Sequence, residues 1–355
     1  MPPDPPPARE CDLRARLIAR IRRDGPITVA EYMDACLHDP RAGYYATGPR
    51  LGAEGDFITA PHVSQMFGEL LGLWAAEVWI RLDRPAHMRL VELGPGDGTL
   101  MSDALRAGRI APGFLRAAEI VLVEASAPLR KRQRAALDGH APRWLPAIGD
   151  LDAGAPAIIL GNEFLDCMPI HQAVRGVDGW RERRIGIDGS GRLSFVAGQP
   201  VDGPEAPEGA VQEWSPELVA MGSALGALVA RAGGAALLID YGRSEPAFGD
   251  TLQGLRGHRK EDPLARPGLA DLTAHVDFPA FLAAAEAAGA QVSPVETQGD
   301  FLRRLGIEAR AAGLSRAHPD QADKIGRQLA RLIARDQMGE LFKVARIAAP
   351  ELELP

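Results

Sequence analysis

A glycine-rich segment, residues 92–98 (ELGPGDG), overlaps the end of the apolar run 89–93. Glycines let a backbone approach a ligand closely, and nucleoside ligands bind where such turns follow the carboxyl ends of parallel strands. The spacing is Gly-x-Gly-x-Gly, whereas dinucleotide-binding folds use Gly-x-Gly-x-x-Gly. A pyrophosphate prefers positive potential, but S-adenosylmethionine carries a sulfonium and an ammonium group, which nearby acids would stabilise. The segment therefore favours S-adenosylmethionine, with contacts from Glu92, Gly94, Pro95 and Gly96.

Two further acids follow the next predicted strands. Glu124 comes directly after the apolar run 121–123, where a carboxylate can accept hydrogen bonds from both ribose hydroxyls of a nucleoside. This role suits NAD as well as S-adenosylmethionine, so Glu124 does not distinguish the two cofactors. Asp150 follows a short third strand and could bind the adenine amino group. Each acid alone could be a solvated loop residue, but the glycine segment together with Glu124 indicates a nucleoside site.

Short apolar runs alternate with helical patterns along most of the chain, which is typical of a doubly wound α/β sheet. The runs 157–160 and 235–239 show no polar alternation, as expected of parallel strands that are covered on both faces. We predict a seven-stranded Rossmann-like sheet, with strands at 89–93, 119–123, 144–145, 157–160, 235–239, 291–297 and 342–347. The candidate cofactor residues then lie at the carboxyl ends of strands.

The rest of the chain is predicted to add an N-terminal region and three insertions to this sheet. Residues 1–9 are expected to form a flexible tail, and residues 10–88 a helical region that covers the cofactor. Within that region, Thr28 and Glu31 have the spacing of a capping box at a helix start. The sheet domain spans residues 89–348. Its insertions are a β-hairpin region with a helix at about 171–232, a long loop at 243–278 and a helical segment at 299–338.

Composition and charge argue against several classes of protein. The 355 residues carry a net charge of −7, whereas a nucleic-acid-binding protein needs a basic face to displace counterions. The three cysteines have no CxxC spacing and the eight histidines form no HxH or HExxH motif, so we expect no disulfide framework and no metal site. No apolar run approaches the roughly 20 residues of a membrane helix, and no apolar secretory segment is evident. These features predict a cytoplasmic protein without nucleic-acid binding or membrane insertion.

Seven longer stretches of the chain resemble those of a known family. They are 55–61 (GDFITAP), 64–69 (SQMFGE), 92–98 (ELGPGDG), 162–166 (NEFLD), 239–242 (IDYG), 271–278 (DLTAHVDF) and 338–344 (MGELFKV). The chain is similar in these stretches to the MidA-like methyltransferases, which include the mitochondrial complex I assembly factor that methylates arginine. The resemblance covers roughly residues 10–347. Leu165 and Cys167 depart from it, because relatives often carry Phe and Ala there.

The resemblance implies a methyltransferase fold, S-adenosylmethionine as methyl donor and symmetric dimethylation of an arginine on a protein such as a complex I subunit. A guanidinium is cationic at neutral pH, so its methylation requires carboxylates that orient it and localise its charge away from the attacking nitrogen. Glu163 and Asp166 follow the fourth predicted strand. We expect Glu163 to bind the guanidinium, Asp166 to assist, and Asn162 to contact the methionine end of the cofactor. The alternative is that Glu163 only caps a helix beginning at Phe164.

The same resemblance implies further contacts on both sides of the reaction. Segments that fold over the cofactor cleft in the family supply candidate cofactor contacts, although each could instead cap a turn. These candidates are Asp56, Thr59, Ser64 and Gln65. Candidate substrate contacts are Asp240 and Tyr241, which end the fifth strand, and His275, which lies in a stretch dense in Asp and His.

Three other functions stay open at this point. An NAD-dependent oxidoreductase would use the same architecture, although its glycine spacing differs. A non-catalytic assembly factor would keep the fold as a binding surface, and a methyltransferase could act on a small molecule instead of a protein. The sequence also leaves open whether the chain forms a homodimer.

Overall fold

The computed structural model describes residues 8–46 and 59–355, and helices and strands alternate through most of this part of the chain. The α-helices are α1 (Ala8–Asp24), α2 (Val29–His38), α3 (Ala60–Val63), α4 (Gln65–Arg81), α5 (Thr99–Gly108), α6 (Phe114–Ala117), α7 (Ala127–Ala136), α8 (Pro216–Ala232), α9 (Phe278–Ala287), α10 (Gln298–Arg304), α11 (Ile307–Ala317), α12 (Ala322–Ile333) and α13 (Met338–Leu341). The strands are β1 (Ile27–Thr28), β2 (Met88–Leu93), β3 (Ala118–Val123), β4 (Arg143–Leu145), β5 (Ala157–Asn162), β6 (His171–Gly176), β7 (Gly179–Ile187), β8 (Leu193–Val201), β9 (Val211–Trp214), β10 (Gly234–Arg243), β11 (Gln253–Arg256), β12 (Arg259–Glu261), β13 (Asp271–Thr273), β14 (Val276–Asp277), β15 (Gln291–Val292), β16 (Glu296–Thr297) and β17 (Phe342–Ala348).

The main sheet has the strand order β15-β17-β10-β5-β2-β3-β4. β17 runs antiparallel to β10, and the pairs from β10 through β5, β2 and β3 to β4 are all parallel. The chain order reverses at β2, which has β3 on one side and β5 on the other, so the carboxyl ends of these strands flank a crevice. The predicted α/β sheet is confirmed, although the predicted strand 291–297 is divided into β15 and β16, which pair with β17 at separate places.

Apolar side chains cover both faces of the main sheet, which explains why its strands lack polar alternation. On one face, Leu90, Leu122 and Ile158 belong to the same buried cluster as residues of α4 and α5. On the other face, Val91 and Ile159 share a cluster with residues of α8 and α9. The covered sheet fixes the ends of β2, β3 and β5, and therefore the start of each loop that follows them.

The N-terminal helices pack on the inserted antiparallel sheet. Thr28 caps α2 as predicted, because its hydroxyl accepts a hydrogen bond from the Glu31 N–H at 3.0 Å and Glu31 Oε2 accepts one from the Thr28 N–H at 2.8 Å. β1 pairs with β7, and apolar residues of α1 and α2 share a buried cluster with β7. We call α1, α2 and the five-stranded sheet of β1 and β6–β9 the auxiliary lobe.

Residues 243–278 differ from the long loop that the sequence predicted. β11, β12 and β13 form a three-stranded antiparallel sheet there, and β14 pairs with the end of β10. These strands have only two to four residues each. The Gly, Pro and charged residues between such short strands hide their pattern from a search for periodicity.

Candidate active site

A cavity of about 580 Å³ lies at the carboxyl ends of β2, β3 and β5, and we call it the central cavity. The N-terminal segment contributes His38 and Tyr45 to its wall, and the turn after β4 contributes Ile148. The predicted site residues on its wall are Thr59, Glu92, Gly94, Pro95, Gly96, Glu124, Asn162 and Glu163. The structure thus brings predicted cofactor residues from three strand ends together with one of the two predicted catalytic carboxylates.

The glycine segment makes a sharp turn at the end of β2. Gly94 and Gly96 have φ angles of +59° and +55°, which residues with a side chain rarely adopt. The Gly94 N–H donates to the Val123 carbonyl at 3.1 Å and so ties the turn to the end of β3. A Cβ atom at Gly94 would lie 2.8 Å from the ring of Phe164. Gly94 is therefore required both by the backbone conformation and by close packing.

Replacing Gly94 with alanine is expected to weaken cofactor binding and to lower the free energy of unfolding. The left-handed backbone alone costs about 1–2 kcal/mol for a residue with a side chain, and the clash would displace Phe164 on the cavity wall. Gly139→Ala is the matched control, because Gly139 has a φ of +83° but a Cβ there meets nothing within 4 Å. Calorimetric titration with S-adenosylmethionine measures the effect. Equal affinities of the two variants would contradict this explanation of the turn.

Asp97 connects the glycine turn to α3 through a histidine that the sequence analysis did not identify. Asp97 Oδ2 lies 2.9 Å from His62 Nε2, and Oδ1 accepts hydrogen bonds from the N–H and hydroxyl of Thr99. His62 Nδ1 lies 2.8 Å from the hydroxyl of Thr59. Burial opposes ionisation of Asp97, but the hydrogen bonds from His62 and Thr99 outweigh it and lower the pKa of Asp97 to about 2. The sequence feature that could have identified His62 is its position between two of the family stretches, 55–61 and 64–69.

Glu92 is buried, and its Oε2 has no hydrogen-bond partner within the described residues. Burial, together with the negative charge of Asp97, raises the pKa of Glu92 to about 8. A buried carboxyl oxygen without a partner on a cavity wall suits a ligand that brings a hydrogen-bond donor or a positive charge. Glu92 therefore has the environment expected for contact with a cationic cofactor.

Glu124 is held in place at the end of β3. Its Oε1 accepts a hydrogen bond from the Ser126 N–H at 2.7 Å, and its Oε2 accepts one from Gln133 Nε2 at 3.1 Å. The same Gln133 nitrogen donates to the Gly96 carbonyl at 2.8 Å, so one fully buried side chain connects the glycine turn to this acid. Burial raises the pKa of Glu124. Gln133 lies in a basic helix, α7, and no local pattern marked it as part of the site.

Glu163 follows β5 with a strained backbone. Its φ of +52° is rare for a residue with a side chain, and such strain concentrates at functional sites. Glu163 Oε1 accepts hydrogen bonds from the Ala60 N–H at 3.1 Å and from Asn162 Nδ2 at 3.0 Å. Burial raises the pKa of Glu163 to about 7, and the negative charge of Asp166 adds to this effect. Turns, and not a helix, follow Glu163, so the structure does not support a helix-capping role.

Asp166 and Asp240 are not on the wall of the central cavity. Asp240 is fully buried, and its Oδ2 accepts hydrogen bonds from the N–H groups of residues 164–166 at 3.0, 2.8 and 3.1 Å. Its Oδ1 accepts a hydrogen bond from the Tyr241 N–H at 2.9 Å. Burial raises the pKa of Asp166 to about 6, and burial and the charges of Asp166 and Glu163 raise the pKa of Asp240. The structure thus places Asp240 as an anchor of the segment after Glu163, instead of at a surface that substrate would touch.

Three predicted cofactor contacts also lie away from the central cavity. Asp150 is exposed, and its Oδ2 accepts a hydrogen bond from the Ala147 N–H within a 3-10 turn. Ser64 caps the start of α4, and Gln65 donates a hydrogen bond to Glu69 one helical turn later. Short polar side chains at turns and helix starts commonly satisfy the local backbone, and this role accounts for Asp150 and Ser64 here.

The two remaining substrate candidates pack against each other. The rings of Tyr241 and His275 meet edge to face with their centroids 5.8 Å apart, and neither residue lines the central cavity. The His275 N–H donates to the Thr251 hydroxyl at 2.9 Å. Burial lowers the pKa of His275, and the charges of Lys260 and Arg243 lower it further. Asp56, a further candidate, lies outside the described residues.

The fold and this site together define a class of protein. The model of a family of S-adenosyl-L-methionine-dependent methyltransferases, Methyltransf_28, matches residues 70–295, and the chain belongs to this family. The protein arginine methyltransferase NDUFAF7, mitochondrial, of Danio rerio is 37% identical to it over 364 residues, which cover 92% of this chain and 84% of that protein. The Bos taurus protein of the same name is 38% identical over 326 residues, which cover 83% and 73%. The predicted resemblance to this family is confirmed.

A solved structure shows the same fold. The crystal structure of a Burkholderia thailandensis protein bound to S-adenosyl-homocysteine matches this chain with a TM-score of 0.86 and 32% sequence identity. The match covers 98% of this chain and 95% of that chain. With the family match, the chain is an S-adenosylmethionine-dependent methyltransferase, as the glycine segment predicted, and the NAD-dependent alternative is set aside.

The residues on the wall of the central cavity fit S-adenosylmethionine. The volume of about 580 Å³ lies within the range of small-molecule sites. Glu92 Oε2 and Asn162 Oδ1 are buried without a hydrogen-bond partner among the described residues, and both could accept hydrogen bonds from an ammonium group. Glu124 would accept hydrogen bonds from the ribose hydroxyls, and the turn at Gly94 and Gly96 would let the backbone approach the ligand closely.

The predicted cytoplasmic location is contradicted by the comparison with relatives. The curated relatives from Danio rerio, Xenopus tropicalis and Bos taurus are named as mitochondrial proteins. The prediction depended on cysteine usage and on the lack of an evident secretory or membrane segment, and these features do not separate one reducing compartment from another.

Four of the eight titratable side chains on the described wall of the central cavity are carboxylic acids. The eight are His38, Tyr45, His62, Glu92, Asp97, Glu124, Glu163 and Cys167, and no Lys or Arg of the described residues joins them. Residues 8–46 and 59–355 contain no group of three or more His, Cys, Asp or Glu that could hold a metal ion. Within the same ranges, no helix is long and apolar enough to cross a membrane.

Proposed function

We propose that this methyltransferase modifies arginine side chains of a protein substrate. Curated relatives at 35–38% identity are named protein arginine methyltransferases. The observation that carries the proposal is electrostatic, because the described wall of the central cavity holds four acids and no Lys or Arg. A guanidinium is the side chain that such a wall would stabilise best, since it is always charged and binds carboxylates in a planar, bidentate way.

The carboxyl groups near Glu163 strengthen this argument. Burial raises the pKa of Glu163, Asp166 and Asp240, and no Lys or Arg of the described residues appreciably lowers these pKa values again. Buried carboxylates normally have a cationic partner or several hydrogen bonds. A guanidinium bound at Glu163 would supply the positive charge, and would thereby lower the pKa of Glu163 and favour its ionised form.

S-adenosylmethionine, when bound, supplies a methyl group on a positively charged sulfur. The tasks of the protein are to hold the guanidinium and to take up its proton. Glu163 Oε1 is fixed by Ala60 and Asn162, which leaves Oε2 to accept a hydrogen bond from the substrate. The ionised carboxylate would orient the planar group, draw positive charge away from the attacking nitrogen and accept the proton that this nitrogen releases. Asp166 would assist through its charge on Glu163.

Two finer parts of the proposal come from the family resemblance. We propose symmetric dimethylation of the guanidinium, and a subunit of complex I, the NADH:quinone oxidoreductase, as the substrate. Methylation would then support assembly of that complex. The resemblance to a family that contains a complex I assembly factor supports both parts.

Deletion of the gene, followed by mass spectrometry of arginine methylation on quinone-oxidoreductase subunits, tests the proposal. We expect a symmetric dimethylarginine to disappear from one subunit, and to return with the wild-type chain but not with Glu163→Gln. If Glu163→Gln restored assembly without methylation, the chain would act as a binding factor. Unchanged arginine methylation in the deletion strain, with cofactor binding intact in the purified protein, would contradict the arginine proposal.

A further inference from the structure

A second cavity of about 830 Å³ lies beside the central cavity, and we call it the lateral groove. His38, Phe164, Cys167 and Met221 line both cavities, so the two spaces are adjacent and share part of their walls. The other walls of the lateral groove come from α2, the segment after β5, β7 and the start of α8. A ligand in the groove would therefore reach the edge of the active site.

Part of the groove surface is apolar and adaptable. Phe164, Met168, Pro169 and Met221 line it, and each of them is only partly buried. Methionine side chains are flexible and polarisable, so they accommodate different partner side chains. Such a surface next to an active site is suited to the side chains of a polypeptide.

The charge of the groove is negative. Asp34 on α2 and Glu217 on α8 are exposed and lie on different walls, and neither forms an ion pair within residues 8–46 and 59–355. Glu31, by contrast, pairs with Arg20 and caps α2, and Arg184 pairs with Glu182 at 2.6 Å. Asp34 and Glu217 are therefore the groove carboxylates that a cationic ligand could engage.

We infer that the lateral groove binds an extended segment of the protein substrate that carries basic residues next to the target arginine. This inference rests on the proposed function and deepens it. The target guanidinium would pass Phe164 and Cys167 to reach Glu163 in the central cavity. The flanking chain would lie on the apolar surface, with its Lys or Arg side chains at Asp34 and Glu217. The groove would thus set substrate preference without taking part in methyl transfer.

Two synthetic arginine peptides test this inference with the full chain. They differ only in the residues that flank the arginine, which are lysine in one and serine in the other. The wild-type KM should be lower for the lysine peptide by about fivefold, as expected of two exposed ion pairs. Asp34→Asn combined with Glu217→Gln should bring the two KM values close together, because the KM for the lysine peptide rises. The kcat should stay unchanged. Asp34→Lys with Glu217→Lys should reverse the preference.

A matched control separates the groove from the net charge of the protein. Glu205→Gln with Glu208→Gln makes the same change in charge on exposed residues that line neither cavity. This double variant should keep the preference for the lysine peptide. An equal loss of preference in the control, or an unchanged preference in the groove variant, would overturn the inference.

Binding of fluorescent versions of the same peptides, measured by anisotropy in the presence of S-adenosyl-homocysteine, distinguishes failure of the inference from failure of the proposed function. Tighter binding of the lysine peptide without methylation of either peptide would support the groove and count against the arginine activity. Equal binding of both peptides to the wild-type chain would overturn the groove.

Discussion

The Glu163→Gln variant is expected to lose kcat by roughly 10²- to 10⁴-fold, the range of general acid–base catalysis, while it binds S-adenosylmethionine with an unchanged Kd. Glutamine has nearly the same shape, and its Oε1 can still accept the hydrogen bonds from Ala60 and Asn162. It cannot carry a negative charge or accept a proton from a guanidinium. The substitution therefore removes the charge that the proposed reaction uses and keeps the contacts that hold the side chain.

The wild-type kcat/KM should rise with pH through about 7. Burial raises the pKa of free Glu163 from 4.5 to about 7, and only the ionised form would bind a guanidinium and accept its proton. Because kcat/KM follows the ionisation of the free enzyme, it should be low at about pH 6 and level off above about pH 8. A bound guanidinium would lower this pKa, so kcat should depend less on pH. A midpoint near pH 4.5 would contradict the role of a buried Glu163.

The free energy of unfolding of Glu163→Gln separates a catalytic role of Glu163 from a structural one. The folded-state pKa of Glu163 lies above its unfolded value, so its contribution to the free energy of unfolding falls as pH rises from about 4.5 to about 7. Glutamine does not ionise, so it does not lose stability over this pH range. The free energy of unfolding of Glu163→Gln at about pH 8 should therefore equal or exceed that of the wild type. A large loss of stability, together with lost cofactor binding, would indicate that Glu163 serves the fold.

Local patterns were sufficient to predict residues that follow a strand within a few positions and line the central cavity. The glycine segment, Glu124 and Glu163 were predicted because the strand pattern places them at the carboxyl edge of the sheet. Asp150 shows what this reasoning leaves open. Its strand was predicted correctly, but the turn after the strand directs the carboxylate to the Ala147 N–H within the turn. A strand pattern fixes where a loop begins, and the hydrogen bonds of the loop decide where its side chains point.

Contacts between distant segments could not be predicted. His62 reaches Asp97 across 35 positions of the chain, and Gln133 reaches the Gly96 carbonyl across 37. Periodicity describes one segment at a time and contains no information on such pairs. The same limit applies to β11 and β13, whose strand character depends on their pairing with each other. Asp240 was identified as a site residue, but its role was not, because its partners lie 74 to 76 positions earlier.

Replacing Asp240 with asparagine is expected to lower the free energy of unfolding by about 2 kcal/mol and kcat by roughly 10²-fold. In the wild type, Oδ2 accepts three backbone N–H groups from residues 164–166, and Oδ1 accepts the Tyr241 N–H. Asparagine offers one oxygen and one NH₂ group, so in either orientation at least one buried N–H faces another donor. A buried donor without an acceptor destabilises the fold.

An opposing effect of this substitution is the loss of a buried carboxyl group whose ionisation is suppressed by burial and by the charges of Asp166 and Glu163. Asparagine does not ionise, so it avoids this cost, which favours the folded state above the ordinary pKa of a carboxyl group. The hydrogen bonds, however, have lengths of 2.8 to 3.1 Å and involve four backbone groups, so we expect their loss to dominate the stability. Burial and Asp166 raise the pKa of Glu163, so the kcat/KM midpoint should stay near pH 7 in this variant.

The free energy of unfolding and kcat together identify Asp240 as a positioning residue. Glu163 has a left-handed backbone, and the segment after it stays in place because Asp240 on β10 binds three of its N–H groups. No residue of β10 lines either cavity, so Asp240 would act on the reaction only through that segment. Lost stability with an unchanged kcat would indicate a role in the core alone, and unchanged stability would contradict the anchor. The control Asp202→Asn should change neither the free energy of unfolding nor kcat, because Asp202 is exposed to solvent and does not bind the segment that orients Glu163.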